Sequence, residues 1–224
     1  MERPLVIAID GPAAAGKGTL GRRLAAHLGL AYLDTGQIYR AAAARLLERG
    51  EDPADAEKAA AAAEALTAAD LDRPNLRDEA VGEAASRIAA IPAVRAALLE
   101  MQRRLARHPP SGAPGIVMDG RDIGTVVCPD AQVKLFVTAS PEERARRRHK
   151  ELLDQGMASI YANVLADVIA RDERDSQRAI APLRPAHGAF VLDTTKLDAD
   201  AAFDVALAHV RMVLGADRVN GRVP

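Results

Sequence analysis

Lys17 closes the run Gly11-Pro12-Ala13-Ala14-Ala15-Gly16-Lys17-Gly18-Thr19, whose residue types and spacing suit anion chemistry. Small residues through the loop let backbone N–H groups approach and surround anionic oxygens. A short apolar run, residues 5–9, precedes the loop and reads as a buried strand, and a helical pattern follows it. Strand, small-residue loop and helix in that order are the context a phosphate-binding P-loop requires. The start of the helix adds unpaired N–H groups and the positive end of its dipole. Lys17 is the loop's one fixed cation and would reach the β- and γ-phosphates. The Gly-x4-Gly-Lys pattern is usually followed by Ser or Thr, whose hydroxyl holds magnesium. Gly18 takes that slot here, so no metal ligand is assigned to the loop, and Thr19 is better placed for an α-phosphate oxygen. The competing reading is a Gly/Ala-rich strand–helix turn with no ligand.

Two further polar clusters follow short apolar runs. Residues 30–33 read as a second strand ending in Asp34-Thr35-Gly36-Gln37-Ile38-Tyr39-Arg40. Thr35 suits a helix N-cap. Arg40, one turn into that helix, could hold a phosphate as a bidentate donor. Taken alone the two read as a cap and a surface charge; beside a P-loop they gain a second reading, as part of a second phosphate site. Residues 116–118 read as a third strand, ending in Asp119-Gly120-Arg121-Asp122-Ile123-Gly124-Thr125. That cluster is either a self-paired turn or a ligand loop. Polar loops at the carboxyl ends of parallel strands are where open α/β sheets bind ligands.

Residues 20–28 continue the first helix, with Leu20, Leu24 and Leu28 at spacing four. Residues 41–68 are Ala-rich and helical, broken at Gly50-Glu51-Asp52-Pro53, and residues 69–76 read as a polar linker. Helices are expected over 76–91 and 92–107, the second with Pro92 in its first turn. Pattern alone puts Arg77, Ser86 and Arg95 on exposed faces. Residues 133–137 and 190–192 supply the fourth and fifth strands. Between them lies the most basic segment: a helix over 141–156 carrying Arg144, Arg146, Arg147, Arg148 and Lys150, then a helix over 158–171. Arg171-Asp172-Glu173-Arg174-Asp175-Ser176-Gln177-Arg178 follows. Three readings stand for this segment: a lid folding over a polyphosphate, a solvated salt-bridged face, or an RNA-binding patch. Residues 198–214 form a closing helix, and 215–224 read as a frayed tail. The fold class is α/β, with a five-stranded parallel sheet flanked by helices.

Composition narrows the chemistry. Lys and Arg number 30 against 31 Asp and Glu, so no global field draws nucleic acid or membrane, and any anion site is local. Aromatic residues are 3% of the chain, which leaves few platforms for stacking bases and a core of Ala, Leu, Val and Ile. Cys128 is the only cysteine, so no intrachain disulfide forms, in keeping with a reducing cytoplasm. The first apolar run is too short for a leader, and no stretch could span a bilayer. The five histidines are scattered, which argues against a zinc site, and no activated Ser, Cys or His nucleophile stands out. Two facing phosphate sites imply phosphoryl transfer, which needs in-line positioning, exclusion of water and positive charge.

Residues 11–19, 34–40 and 119–125 resemble the nucleoside monophosphate kinases. The spelling Asp-Gly-Arg-Asp-Ile-Gly-Thr-Val-Val from Asp119, with residues 171–178 ahead of Ala181-Pro182-Leu183, is similar to the bacterial cytidylate kinases in particular. The resemblance implies a P-loop core over 1–34, 112–150 and 186–224, a helical monophosphate-binding region over 35–111, and a short lid with its returning helix over 151–185. It implies transfer from ATP to CMP or dCMP with Mg²⁺, the alternatives being a UMP or AMP kinase on the same fold or a non-catalytic nucleotide-binding regulator; a cytosolic monomer with no nucleic-acid or membrane partner is expected. Residues 11–19 would bind ATP, with Lys17 as the donor-phosphate lysine. Arg121 and Arg171 would hold phosphate. Thr35, Tyr39 and Arg40 would flank the acceptor nucleotide, while Ser86, Arg95 and Asp122 would read the cytosine edge. Asp175 and Arg178 would contact its sugar or phosphate end. The Asp122 role has a physical basis, since cytosine presents an N4 amine that a carboxylate accepts from, where uracil presents a carbonyl. Ala14 stands where the family's loop often has Gly, and Gln37 where a small or apolar residue is common. The segment from Asp70 to Arg77 is short, lacking most of a small β-rich insertion that many bacterial members carry.

Overall fold

In the computed structural model, which describes residues 3–215 apart from the side chain of Ala68, strand β1 (Leu5–Asp10) runs through the middle of a five-stranded sheet. The other strands are β2 (Ala31–Asp34), β3 (Gly115–Gly120), β4 (Val133–Thr138) and β5 (Phe190–Asp193). Their spatial order is β2-β3-β1-β4-β5. β1 pairs in parallel with β3, Ile9 opposite Asp119, and with β4, Ile7 opposite Val133; β4 pairs in parallel with β5. A central parallel strand is covered on both faces and so reads as a near-continuous apolar run, and Val6 through Asp10 are all buried.

Helices α1 (Lys17–Leu28), α6 (Pro141–Asp154), α7 (Tyr161–Ser176) and α8 (Ala199–Leu214) belong with the sheet. Leu20 and Leu24 of α1 and Leu207 and Val210 of α8 share one core with Ile7 and Leu135. α6 and α7 form a hairpin with its own apolar seam, from Ala145 and Leu152 to Val164 and Val168. α7 runs past the expected stop at 171 to Ser176, because no Gly or Pro interrupts its charged end.

Residues Asp34–His108 make a second compact unit of four α-helices: α2 (Thr35–Glu48), α3 (Ala56–Glu64), α4 (Glu79–Ile88) and α5 (Pro92–Arg107). Ala41 through Ala44 are all buried, so α2 is enclosed on every side at that turn, and small side chains let its neighbours come close. The expected linker at 69–76 is instead a pair of 3-10 turns, Ala68–Asp72 and Pro74–Arg77. Asp70 ties them in place. Its buried carboxylate accepts from Thr67 N at 2.9 Å, Thr67 Oγ1 at 2.8 Å, Arg45 at 3.0 Å and Arg73 Nε at 3.0 Å. The 216–224 part of the expected tail lies outside the described residues.

Candidate functional site

The loop after β1 has the backbone that its small residues allow. Gly11 has φ +149°, and a Cβ there would lie 1.9 Å from the Val137 carbonyl oxygen, so only glycine fits. Gly16 is left-handed and precedes α1. Ala14 is left-handed too, with φ 58°, so this loop carries a Cβ where the backbone favours glycine. Lys17 is buried, and its Nζ donates to the Pro12 carbonyl at 2.8 Å. Arg144, fully buried, donates to the Ala13 carbonyl at 3.4 Å and to the Ala139 carbonyl at 2.9 Å. In a planar trans peptide the following N–H points the opposite way. Holding the Ala13 carbonyl from behind therefore turns the Ala14 N–H to the other side. The Gly18 slot is closed in on by Tyr32 and Arg22: a Cβ there would lie 3.5 Å from the Tyr32 hydroxyl and 3.4 Å from Arg22 Nη1. The Tyr32 hydroxyl donates to Asp119 Oδ2 at 2.6 Å.

At the end of β3, Asp119 and Asp122 are both buried. Ile123–Val127 is a single π-helical turn opened by Asp122. The end of β1 reaches across to it: Asp10 accepts from Ile123 N at 2.7 Å and Gly124 N at 2.8 Å. Burial pushes the Asp10 carboxyl up to about 6; the two backbone bonds and Lys17 pull down, while Asp122 adds to the rise.

Arg121 Nε donates to Asp175 Oδ2 at 2.8 Å, and Arg178 donates to the other oxygen of the same carboxylate. Asp175 is 1% exposed. Burial pushes its carboxyl up, but Arg121, Arg178 and Arg171 outweigh this and hold it below the ordinary carboxylate range. Three guanidinium groups around one carboxylate leave net positive charge on a framework locked by ion pairs. The bases of α6 are committed elsewhere. Arg144 pairs with Asp172, Arg146 and Arg147 with Glu143, Arg148 with Glu151, and Lys150 with Asp154. Arg147 also donates to Thr194 O at 2.6 Å. The solvated, salt-bridged reading therefore holds for Arg146, Arg147, Arg148 and Lys150 but not for buried Arg144, and the arginine cluster is built from the β3 end and the end of α7.

Within the helical unit, Asp34 rather than Thr35 occupies the N-cap of α2, and its side chain makes no capping bond. Thr35 is the first helical residue and is 3% exposed, one position inside the expected cap. Arg40 Nη1 stands 4.0 Å from Asp34 Oδ2, and Tyr39 is half-buried beside it. Ser86 and Arg95, expected on exposed faces, are buried at 4% and 8%. Arg95 folds back across the short α4–α5 connection and donates to the Ala89 carbonyl at the end of α4, at 3.4 Å, while Ser86 lies on α4, which packs against α2. Arg77 is exposed, as expected. Gln37 donates to the Leu71 carbonyl at 2.6 Å, so its amide fastens the 3-10 segment that stands in the shortened region.

Comparison with known proteins identifies the family. A family model described as cytidylate kinase matches residues 7–212. The chain belongs to the cytidylate kinase family. The cytidylate kinase of Paramagnetospirillum magneticum is 62% identical over 205 residues, covering 92% of this chain and 97% of that one. The cytidylate kinase of Methylocella silvestris is 59% identical over 206 residues, covering 92% and 94%. Among solved structures, an uncharacterized protein from Eubacterium ventriosum is similar in fold alone, with a TM-score of 0.52 at 13% identity over 92% of this chain and 98% of that one.

As a member of the cytidylate kinase family, the chain carries two supports that sequence reasoning missed. Asp10 is hidden inside an apolar strand pattern, and its partners stand 113 and 114 residues away. Arg144 looked like one base among several, yet it joins the P-loop to α7 through Asp172 at 2.9 Å. A single charged residue closing an apolar run is the one signal that could have pointed to Asp10. For Arg144, no local pattern separates it from its neighbours.

Proposed function

We propose that this chain transfers the γ-phosphoryl group of ATP to CMP or dCMP, giving ADP and CDP or dCDP. The observation that carries this reading is the β3 end, where buried Asp122 stands next to Arg121, itself paired to Asp175 in the arginine cluster. A carboxylate there accepts from the N4 amine of cytosine, and the arginines meet phosphate oxygens. The family membership supports the same reading.

Residues 11–19 take the donor's phosphates on backbone N–H groups, and Lys17 leaves the Pro12 carbonyl for the β- and γ-phosphates. Arg121 and Arg171 hold charge on the transferring group, which needs positioning and electrostatic stabilisation rather than a protein nucleophile. Asp175 and Arg178 contact the acceptor's sugar or phosphate end. Within the helical unit, Thr35, Tyr39 and Arg40 are assigned to acceptor-phosphate binding, and Ser86 and Arg95 to base recognition. Residues 151–185 act as a lid that keeps water from the phosphoryl group.

Among the described residues, no three His, Cys, Asp or Glu side chains converge. No protein ligand is assigned to magnesium, which would be held mainly by phosphate oxygens and water. Such an ion would supply positive charge beside the phosphates; the chain's own part is Lys17 and the arginines. Among the same residues no helix is long and apolar enough to cross a membrane, and the reading is of a cytosolic monomer.

Steady-state ADP release with CMP, dCMP, UMP and AMP as acceptors tests the assignment. CMP and dCMP are expected to exceed UMP in kcat/KM by about a hundredfold or more, since the wrong base leaves a buried carboxylate unpaired. Preference for UMP or AMP would reassign the Asp122 turn.

A further inference from the structure

Asp122 stands on a turn whose grip on the molecule comes from a residue far away in sequence. Its own carbonyl accepts from Val126 N at 2.9 Å and Val127 N at 3.1 Å, so the backbone of Asp122 moves with the Ile123–Val127 turn. The two N–H groups directly after Asp122 are those of Ile123 and Gly124, and both donate to Asp10, one to each oxygen. Asp10 is 2% exposed. Its base is equally fixed, because the next residue is Gly11, wedged under the Val137 carbonyl. The fit is tight from the turn's side as well. A Cβ on Gly124 would lie 3.1 Å from the Ala186 Cβ and 3.3 Å from Asp10 Oδ2.

We infer that Asp10 is a positioning residue for base recognition: its two bonds to Ile123 and Gly124 set where the Asp122 carboxylate stands. This rests on Asp122 being the cytosine contact. A charged hydrogen bond is short and directional, and displacement of a positioning element by about 1 Å can cost on the order of a hundredfold in rate. A carboxylate is the group the geometry asks for, since two N–H donors converge on one side chain and only an ionised carboxyl offers two acceptor oxygens. Asp10 thereby links the strand that carries the P-loop to the turn that reads the base.

The test is steady-state kinetics with CMP and UMP on the wild-type enzyme, Asp10→Asn, Gly124→Ala and Asp122→Ala, with folding followed by circular dichroism and thermal melting. Asp10→Asn keeps the shape but replaces one acceptor with an NH₂ that cannot accept. Gly124→Ala presses the turn off the carboxylate while leaving Asp10 intact, and it carries the test if Asp10→Asn does not fold. Both variants are expected to raise KM for CMP about tenfold, to change KM for ATP less than about twofold, and to lower the CMP-over-UMP ratio of kcat/KM by about tenfold. A folded variant that keeps the wild-type ratio, or in which the KM values for ATP and CMP rise together, overturns the inference and makes Asp10 a general scaffold residue. If Asp122→Ala narrows the ratio and the other two variants do not, positioning by Asp10 fails while the base contact stands. If Asp122→Ala leaves the ratio unchanged, the base contact itself falls, and the inference with it.

Discussion

Asp10 holds a charge that its surroundings resist, and this gives it a signature in stability as well as in geometry. Burial raises its carboxyl to about 6, against an ordinary value of 3.8. Well below the ordinary value the group is protonated whether the chain is folded or not, and it adds no pH dependence. Above about 6 it is ionised in both states, and the cost of burying the charge is fully present. Between these limits the folded chain keeps a proton that the unfolded chain has released, so stability falls as pH rises. Measured by thermal denaturation, the wild-type protein should lose about 2–3 kcal/mol relative to Asp10→Asn between about pH 4 and pH 6, and no more above about pH 7. A difference that stays constant across that range would mean that Asp10 is not a buried titrating carboxyl. None of this is written in the residues around Asp10, whose neighbours in sequence are those of a buried strand. Lys17 is the opposite case. Its loop is local, so spacing alone announces it, and even Ala14 is legible as the position where a Cβ must survive a left-handed backbone.

The pair of 3-10 turns at Ala68–Asp72 and Pro74–Arg77 shows how a shortened segment is kept in order without a strand pair. One buried carboxylate, Asp70, takes four donors, while Gln37 holds Leu71 from α2. Burial pushes the Asp70 carboxyl up, but Thr67 and Arg45 outweigh it and hold it well below the carboxylate range. Asp70→Ala would leave Arg45 and Arg73 facing a vacated site. It is expected to destabilise the protein by about 2–4 kcal/mol in urea denaturation, since removing one partner strands the others. A loss below about 0.5 kcal/mol would show the network to be solvated and weak. Polar composition and Pro74 made this stretch look like a linker, because ordering here comes from side chains on α2 that a local window does not include. The same limit hid the burial of Ser86 and Arg95. Which face of a helix is covered depends on its neighbours, and a run rich in Ala has apolar residues on every face. Strands were easier to find, because a parallel sheet buried on both sides leaves an apolar run with no alternation to confuse.

The molecule as a whole carries almost no net charge, yet it gathers Arg121, Arg171 and Arg178 around Asp175 at one end of its sheet. That contrast is what a phosphoryl-transfer enzyme needs: local positive charge where phosphates meet, and no general attraction for other polyanions. Strand order β2-β3-β1-β4-β5 puts the ends of β1 and β3 side by side, and each carries a polar segment. This much was legible from three motifs, because each follows a strand of the same sheet. The division of labour among the arginines was not. Five bases on α6 and three arginines over 171–178 look alike in sequence, and only the ion pairs separate those that hold the fold from those around Asp175. The most direct test of the central claim follows the phosphorus nuclei themselves. Incubated with ATP, Mg²⁺ and CMP and observed by ³¹P NMR, the protein should form CDP and ADP in equal amounts with no inorganic phosphate, and Lys17→Ala should slow this by about a hundredfold or more. Inorganic phosphate released in place of CDP, or CDP formed at the same rate by Lys17→Ala, would contradict it.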